Sequence, residues 1–286
     1  MKTIVIGASN IDYAIASHQS LRLGESNPAT LHMHAGGVGR NVAENLGRLG
    51  LPLAFITSIA PTPWKEVIVS SLPSSVSIKG LTLATPSSYF DILNDTRDLH
   101  LGLAAMDVLE TLDVAHMKPL SQMLKEATHI ILDLNFPQTI IDDVFHHVKG
   151  TVFVDGTSAA KVSKIKPHLR RIHTLKINHS EAAALSGKKD VSEQAHWLMN
   201  AGVNELYLTM AEAGVYHQSY DQSLTHHKAP KISNIVSTTG AGDAFFAGLV
   251  YAAMHKRSPL DLAFALVKRC LSVPTPVDQS LCVEDI

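Results

Sequence analysis

At 286 residues with 45% apolar side chains, the chain is long enough to bury a sizeable core, which excludes a disordered protein and fits one large α/β domain. Its 24 Lys and Arg against 26 Asp and Glu leave a formal charge of −2, with the two signs interspersed, so there is no footprint for nucleic acid or an anionic membrane surface, and the expected partner is a small molecule. Two cysteines, Cys270 and Cys282, exclude a disulfide framework and fit a reducing cytoplasm.

The N-terminus carries one Lys and then a short apolar run over 3–7, soon broken by Asn10 and Asp12. That is a poor signal peptide and too short to span a membrane, and it predicts a first buried strand. Residues 13–35 show no helical period. Further apolar runs at 53–57, 129–134, 152–155, 174–177 and 205–209 read as strands buried on both faces. Between them, 40–49, 137–148 and 192–201 are amphipathic helix patterns. The alternation predicts a mainly parallel central sheet with helices on both faces. Residues 89–103 read instead as two short strands around the polar turn 94–98. With 13–35 they predict a small sheet standing off the domain, a β-lid drawn from about 13–35 and 88–104, where a second copy of the chain would also pair. His32 and His34 would share one side of a strand, but no Cys or carboxylate joins them at metal-ligand spacing.

The segment Ser237-Thr238-Thr239-Gly240-Ala241-Gly242-Asp243 runs straight into the small and apolar stretch 244–254. A loop without large side chains that opens a helix offers free N–H groups and the positive dipole end to an anion. A carboxylate at that opening suits a group that takes a proton from whatever attacks a phosphate. The alternative is a tight turn with Asp243 as a cap. Gly36-Gly37-Val38-Gly39-Arg40-Asn41 leads into another helix, where glycines admit a ligand to the backbone and Asn41 faces vicinal hydroxyls, or where the glycines serve close packing alone. Asp12, past the first strand, is placed to accept from a sugar diol, or is a lone Asp in a turn. Asn178-His179-Ser180-Glu181 follows a strand and opens a helix, which suits either water-mediated Mg²⁺ binding or a capping box.

In register along the chain, Gly36-Gly37-x-Gly39-x-Asn41, Asn178-x-x-Glu181 and Thr238-Thr239-Gly240-Ala241-Gly242-Asp243 resemble the PfkB (ribokinase-like) family of carbohydrate and nucleoside kinases. The resemblance implies ATP as donor, Mg²⁺ held through water at Glu181, Asp243 as catalytic base and Gly240, Ala241 and Gly242 as anion hole. It implies Asp12, Gly36, Gly37 and Asn41 as sugar-binding residues, and Asn178, Thr209, Gly214 and Thr239 around the nucleotide. The segments around Ser26-Asn27-Pro28, Ala105-Met106-Asp107-Val108, Leu132-Asp133-Leu134-Asn135-Phe136-Pro137 and His173-Thr174-Leu175-Lys176 look like the family's pseudouridine-phosphorylating subgroup, which adds Ser26, Asn27 and Asn135 to the substrate pocket. The implied reaction is transfer to the 5′-hydroxyl of that nucleoside; a kinase for another nucleoside or a pentose, and a non-catalytic sensor of the same fold, stand as alternatives. Three positions depart from the family pattern. Ser237 replaces an acid that helps hold a monovalent cation, which puts K⁺ activation in doubt; 60–64 lack the usual Gly-x-Asp-x-x-Gly; and Ala211 replaces a glycine in the turn 209–214.

Overall fold

The computed structural model describes residues 2–96 and 99–286, so Arg97 and Asp98 of the expected turn lie outside the described residues. The first strand, β1 (Thr3–Ile6), is buried along its whole length, because Ile4 and Ile6 enter the core on one face of the sheet and Val5 on the other. The chain next forms β2 (Asn10–Ser17) and β3 (Ala29–Gly36), an antiparallel pair. Helix α1 (Val38–Arg48) returns it to the main sheet as β4 (Leu53–Ile59), and α2 (Trp64–Ser70) leads to β5 (Val76–Thr82). Strands β6 (Ser88–Leu93) and β7 (Leu99–Ala105) join β2 and β3 in a separate four-stranded sheet of order β3-β2-β6-β7.

The second half alternates again. Short helices α3 (Val114–Met117) and α4 (Ser121–Glu126) precede β8 (His129–Leu132), α5 (Gln138–His147) and β9 (Thr151–Asp155). A 3-10 segment, Val162–Arg171, leads to β10 (Thr174–Asn178), α6 (His179–Ser186), α7 (Val191–Asn200) and β11 (Glu205–Thr209). The antiparallel strands β12 (Val215–Ser219) and β13 (Thr225–His227) close one edge, and α8 (Ala241–His255) and α9 (Pro259–Leu271) complete the fold.

The main sheet runs β13-β12-β11-β10-β9-β8-β1-β4-β5, parallel from β11 to β5. One of its faces packs on α3 to α7 through a core that includes Ile6, Leu132, Val154 and Ile177; the other packs on α1, α8 and α9 through Val5, Phe55, Ile131 and Phe153. The expected architecture, a mainly parallel sheet covered on both sides with a small second sheet, is the one observed. Helix α8 is apolar almost all round because it is wedged between the sheet, α1 and α9. Among the described residues no helix is long and apolar enough to cross a membrane.

Candidate active site

Strands β1, β8, β9, β10 and β11 are neighbours and parallel, so their carboxyl ends share one edge, where ligands bind in open α/β sheets. The openings of α1 and α8 meet there, since these two helices pack side by side. Gly240 opens α8 with φ 83°, a left-handed turn that only glycine adopts without strain. Ala241 N–H turns back to the Thr238 carbonyl at 3.3 Å, so the first-turn N–H groups of Gly242 and Asp243 are those without an intrahelical acceptor. Asn41 Nδ2 donates to Asp243 Oδ2 at 2.7 Å, across 202 residues of sequence. Burial pushes the Asp243 carboxyl up to about 7, Asp155 adds to the rise, and the Asn41 hydrogen bond and Lys176 oppose it. A carboxylate that titrates near neutrality is suited to general-base work.

Arg40 fixes Asn41. The arginine is only 3% exposed, and its guanidinium donates to Asn41 Oδ1 at 2.8 Å and Ser71 Oγ at 3.2 Å and pairs with buried Glu44. Asn41 is therefore held oxygen inward and amide outward. Asp12, on β2, lies over Gly36 of β3 so closely that a side-chain carbon at Gly36 would fall 1.8 Å from Asp12 Oδ2. The Asp12 Oδ1 atom is buried without a hydrogen-bond partner. Burial, with the charge of Asp91, pushes the Asp12 carboxyl up to about 7 against the pull of Arg40. His34 stands 3.9 Å away. A buried acceptor left open costs free energy that a diol hydroxyl would recover.

Several buried residues at this edge were not singled out for a role by sequence reasoning. Asp133 Oδ2 accepts from Ala8 N–H at 3.0 Å and Gly39 N–H at 2.8 Å, tying the end of β1 to the opening of α1. On β10, Lys176 donates to Asp155 Oδ2 at 2.9 Å, and its ammonium lies 3.0 Å from where a side chain at Gly242 would begin. Burial pulls the Lys176 ammonium down, but Asp155, Glu181 and Asp243 outweigh it and keep it above its ordinary value. A fixed positive charge thus sits beneath the glycine turn. The signal available in the sequence was Asp155 and Lys176 as isolated charges at the ends of apolar runs, where a strand buried on both faces normally carries none.

The remaining expected residues divide. Asn178 and Glu181 form a capping box in which Asn178 Oδ1 accepts from Glu181 N–H at 2.9 Å and Glu181 Oε2 accepts from Asn178 N–H at 2.9 Å. The strand register sets Asn178 beside Thr209, and Gly214 follows in the turn after β11. In that turn Ala211 adopts φ 50°. Thr239 N–H donates to Ser237 Oγ at 3.2 Å, and the Cys270 thiol approaches the carbonyls of Thr239 at 3.4 Å and Pro276 at 3.3 Å. Asn135 accepts from Lys161 Nζ at 2.5 Å. Ser26 and Asn27 are not brought to Asp12 and Asn41. They lie in the loop closing β2 and β3, beyond the last pair Ser17 and Ala29, and the Asn27 amide is spent on Arg22 and Glu25 of its own loop.

For Mg²⁺, the donors on offer are oxygens, which suits that ion, but Glu181 is the single carboxylate among the expected nucleotide residues and both its oxygens are engaged by Asn178. Such a set fits a metal held through its water shell and the phosphates. Among the described residues no group of three or more His, Cys, Asp or Glu is gathered for direct ligation.

Comparison with known proteins bears on the family and the fold. A model of the pfkB family of carbohydrate kinases matches residues 93–270. The pseudouridine kinase of Escherichia coli K12 is 32% identical over 256 residues, 86% of this chain and 82% of that protein. Among solved structures, a carbohydrate kinase from Agrobacterium tumefaciens superposes with a TM-score of 0.85 at 26% identity, covering 100% of this chain and 95% of that one. The fold of an Arabidopsis thaliana ribokinase complexed with ribose and ATP is also shared, with a TM-score of 0.82 at 19% identity over 98% of this chain and 96% of that one.

Proposed function

This chain belongs to the pfkB family of carbohydrate kinases and is a phosphotransferase with an alcohol acceptor; on that premise we propose that it transfers the γ-phosphoryl group of ATP to the 5′-hydroxyl of pseudouridine. The observation that carries the reading is the meeting of Asn41 and Asp243, which sets a proton acceptor that titrates near neutrality between a sugar-binding helix opening and an anion-binding one. Asp12 and Asn41 grip the ribose diol. Asp243 takes the proton of the 5′-hydroxyl as that oxygen bonds to the γ-phosphorus and the bond to ADP breaks. First-turn N–H groups at Gly242 and Asp243 and the Lys176 ammonium meet the charge on the transferring group. Glu181 would hold Mg²⁺ through water, and the ion would supply neutralisation of phosphate charge. Thr209, Gly214 and Thr239 border the nucleotide.

The small sheet is read as a lid that excludes water when the site is occupied. Its strand register lines up Met33, Tyr13, Phe90 and Leu103 in one row and Leu31, Ile15, Ile92 and Leu101 in the next. Of these, Met33, Leu103, Leu31 and Leu101 are 49–60% exposed. An apolar stripe of that kind favours burial against a second copy of the chain. The choice of pseudouridine rests on the 32% identical relative and is tested by a coupled ADP-release assay across pseudouridine, uridine, inosine and ribose. A kcat/KM for pseudouridine at least tenfold above the others supports it, and preference for another acceptor overturns it.

A further inference from the structure

A loop at the end of β8 carries Asn135, and two lysines from one turn after β9 close over it. Lys164 Nζ donates to the carbonyls on either side, Leu134 at 3.2 Å and Phe136 at 2.6 Å. Lys161 Nζ donates to the Asn135 side-chain oxygen at 2.5 Å and lies 3.9 Å from Met106 Sδ, where the small sheet rejoins the domain after β7. Asn135 is committed at its other end too, since its side chain and its backbone N–H hydrogen-bond to Asp133, the carboxylate that also clamps Gly39 N–H two residues before Asn41.

Asn135 is thus a spacer between Asp133 and Lys161, and the half-buried Lys161 ammonium keeps N–H donors that no protein oxygen accepts among the described residues. An ammonium has three N–H donors; among the described residues one oxygen accepts, and the other neighbour at bonding range is a thioether. No carboxylate lies within ion-pair distance of Lys161 among the described residues. Burial pulls its ammonium below the ordinary lysine value, and Asp133 and Glu110 only partly offset that. The group is in want of an acceptor. A sugar with its reacting hydroxyl at Asp243 and its diol at Asp12 and Asn41 sends its remaining ring substituent away from all three.

We propose that Lys161 is a specificity-determining residue of this site, donating to a carbonyl oxygen on the base of a nucleoside substrate and so selecting a carbonyl-bearing base over a base-free sugar. The inference rests on the nucleoside reading of the site and extends it to the base. It differs from the role expected of Asn135, whose amide supports the lysine that makes the contact.

The test is steady-state kinetics of the full chain with pseudouridine and with ribose, for wild type, Lys161→Met and Lys161→Arg, with thermal melts as a fold control. Loss of one charge-assisted hydrogen bond is expected to lower the preference for pseudouridine over ribose, as a ratio of kcat/KM values, by about 10- to 100-fold in Lys161→Met, chiefly through KM. Lys161→Arg is expected to recover part of it. A folded Lys161→Met enzyme that loses equally on both substrates, or on neither, overturns the role of Lys161 and leaves the pseudouridine reading intact. A wild-type enzyme that prefers ribose overturns both.

Discussion

Asn41 and Asp243 are 202 residues apart in sequence, yet a 2.7 Å hydrogen bond joins them, so the group assigned to the sugar also sets the electrostatics of the group assigned to the proton. Asp243 must be ionised to accept a proton, and burial has pushed it up to about 7. The rate is expected to rise with pH through about 7 and then level. Removing the Asn41 donor removes an influence that pulls Asp243 down, so Asn41→Ala is expected to shift the midpoint of kcat against pH upward. Asp243→Asn is expected to bind nucleotide and to lose roughly 10²- to 10⁴-fold in turnover. Rate profiles between pH 5 and 9 check all three.

Asp12 gives a stability prediction of definite sign. Its folded value of about 7 lies above the ordinary 3.8, so folding takes up a proton between the two. The resulting penalty is absent below about pH 4, grows as pH rises, and is complete above about 7. Asp12→Asn is expected to melt higher than wild type by a margin that widens from pH 4 to pH 7 and then stays constant. Asp12→Ala is expected to weaken nucleoside binding by roughly 1–3 kcal/mol with ATP affinity nearly unchanged. Calorimetric titration with each ligand separates the two effects.

Pairing through the small sheet is checked by sedimentation. A charge set into the exposed row at Met33, which is 51% exposed, disturbs no core in a single chain. Met33→Asp is expected to sediment as a monomer where wild type sediments as a dimer, without loss of helix content.

Ala211, at φ 50°, holds a left-handed conformation that costs an L-residue about 1–2 kcal/mol. Glycine removes that strain and adds about 0.5–1 kcal/mol of backbone entropy loss. Ala211→Gly is expected to raise the melting temperature by about 1–3 °C, and differential scanning calorimetry reads it.

Ser237 offers a hydroxyl already used by Thr239 N–H, and the Cys270 thiol approaches the carbonyls of Thr239 and Pro276 behind the glycine turn. With no carboxylate at Ser237, little Coulomb attraction remains for a monovalent ion. Replacing K⁺ by a bulky organic cation at fixed ionic strength is expected to leave initial rates within about twofold. A several-fold fall would mean that backbone carbonyls hold the ion unaided.

The legible parts of the fold were those where burial on both faces leaves an uninterrupted apolar run, as in β1, β8 and β10. The edge strands β5 and β13, and β12 beside β13, escaped notice because the margins of the sheet are half-solvated, so that Val215–Ser219 mixes polar and apolar residues without a clean period and Thr225–His227 is polar throughout. At the site, Asp243 and Asn41 were legible because a glycine turn before a helix has a recognisable composition. Asp133, Asp155 and Lys176 were not, since their roles arise from strand order, and a single sequence does not say which strand ends become neighbours. At Asn178 and Glu181 the capping box expected as the alternative is formed, and it leaves the Glu181 carboxylate one turn past a strand end paired with Thr209, where the metal role stays a proposal.

The position of α8 has a consequence for synthesis. β1 lies inside the sheet between β4 and β8, while part of the cover over Val5, Phe55, Ile131 and Phe153 comes from α8 and α9, which follow every strand of the sheet in the chain. A nascent chain that has extended only to Thr239 has every parallel strand of the sheet but an uncovered apolar face, and Asn41 has no carboxylate to meet. Without α8 a chain is expected to lack the base assigned to Asp243 and to present that apolar face to other chains.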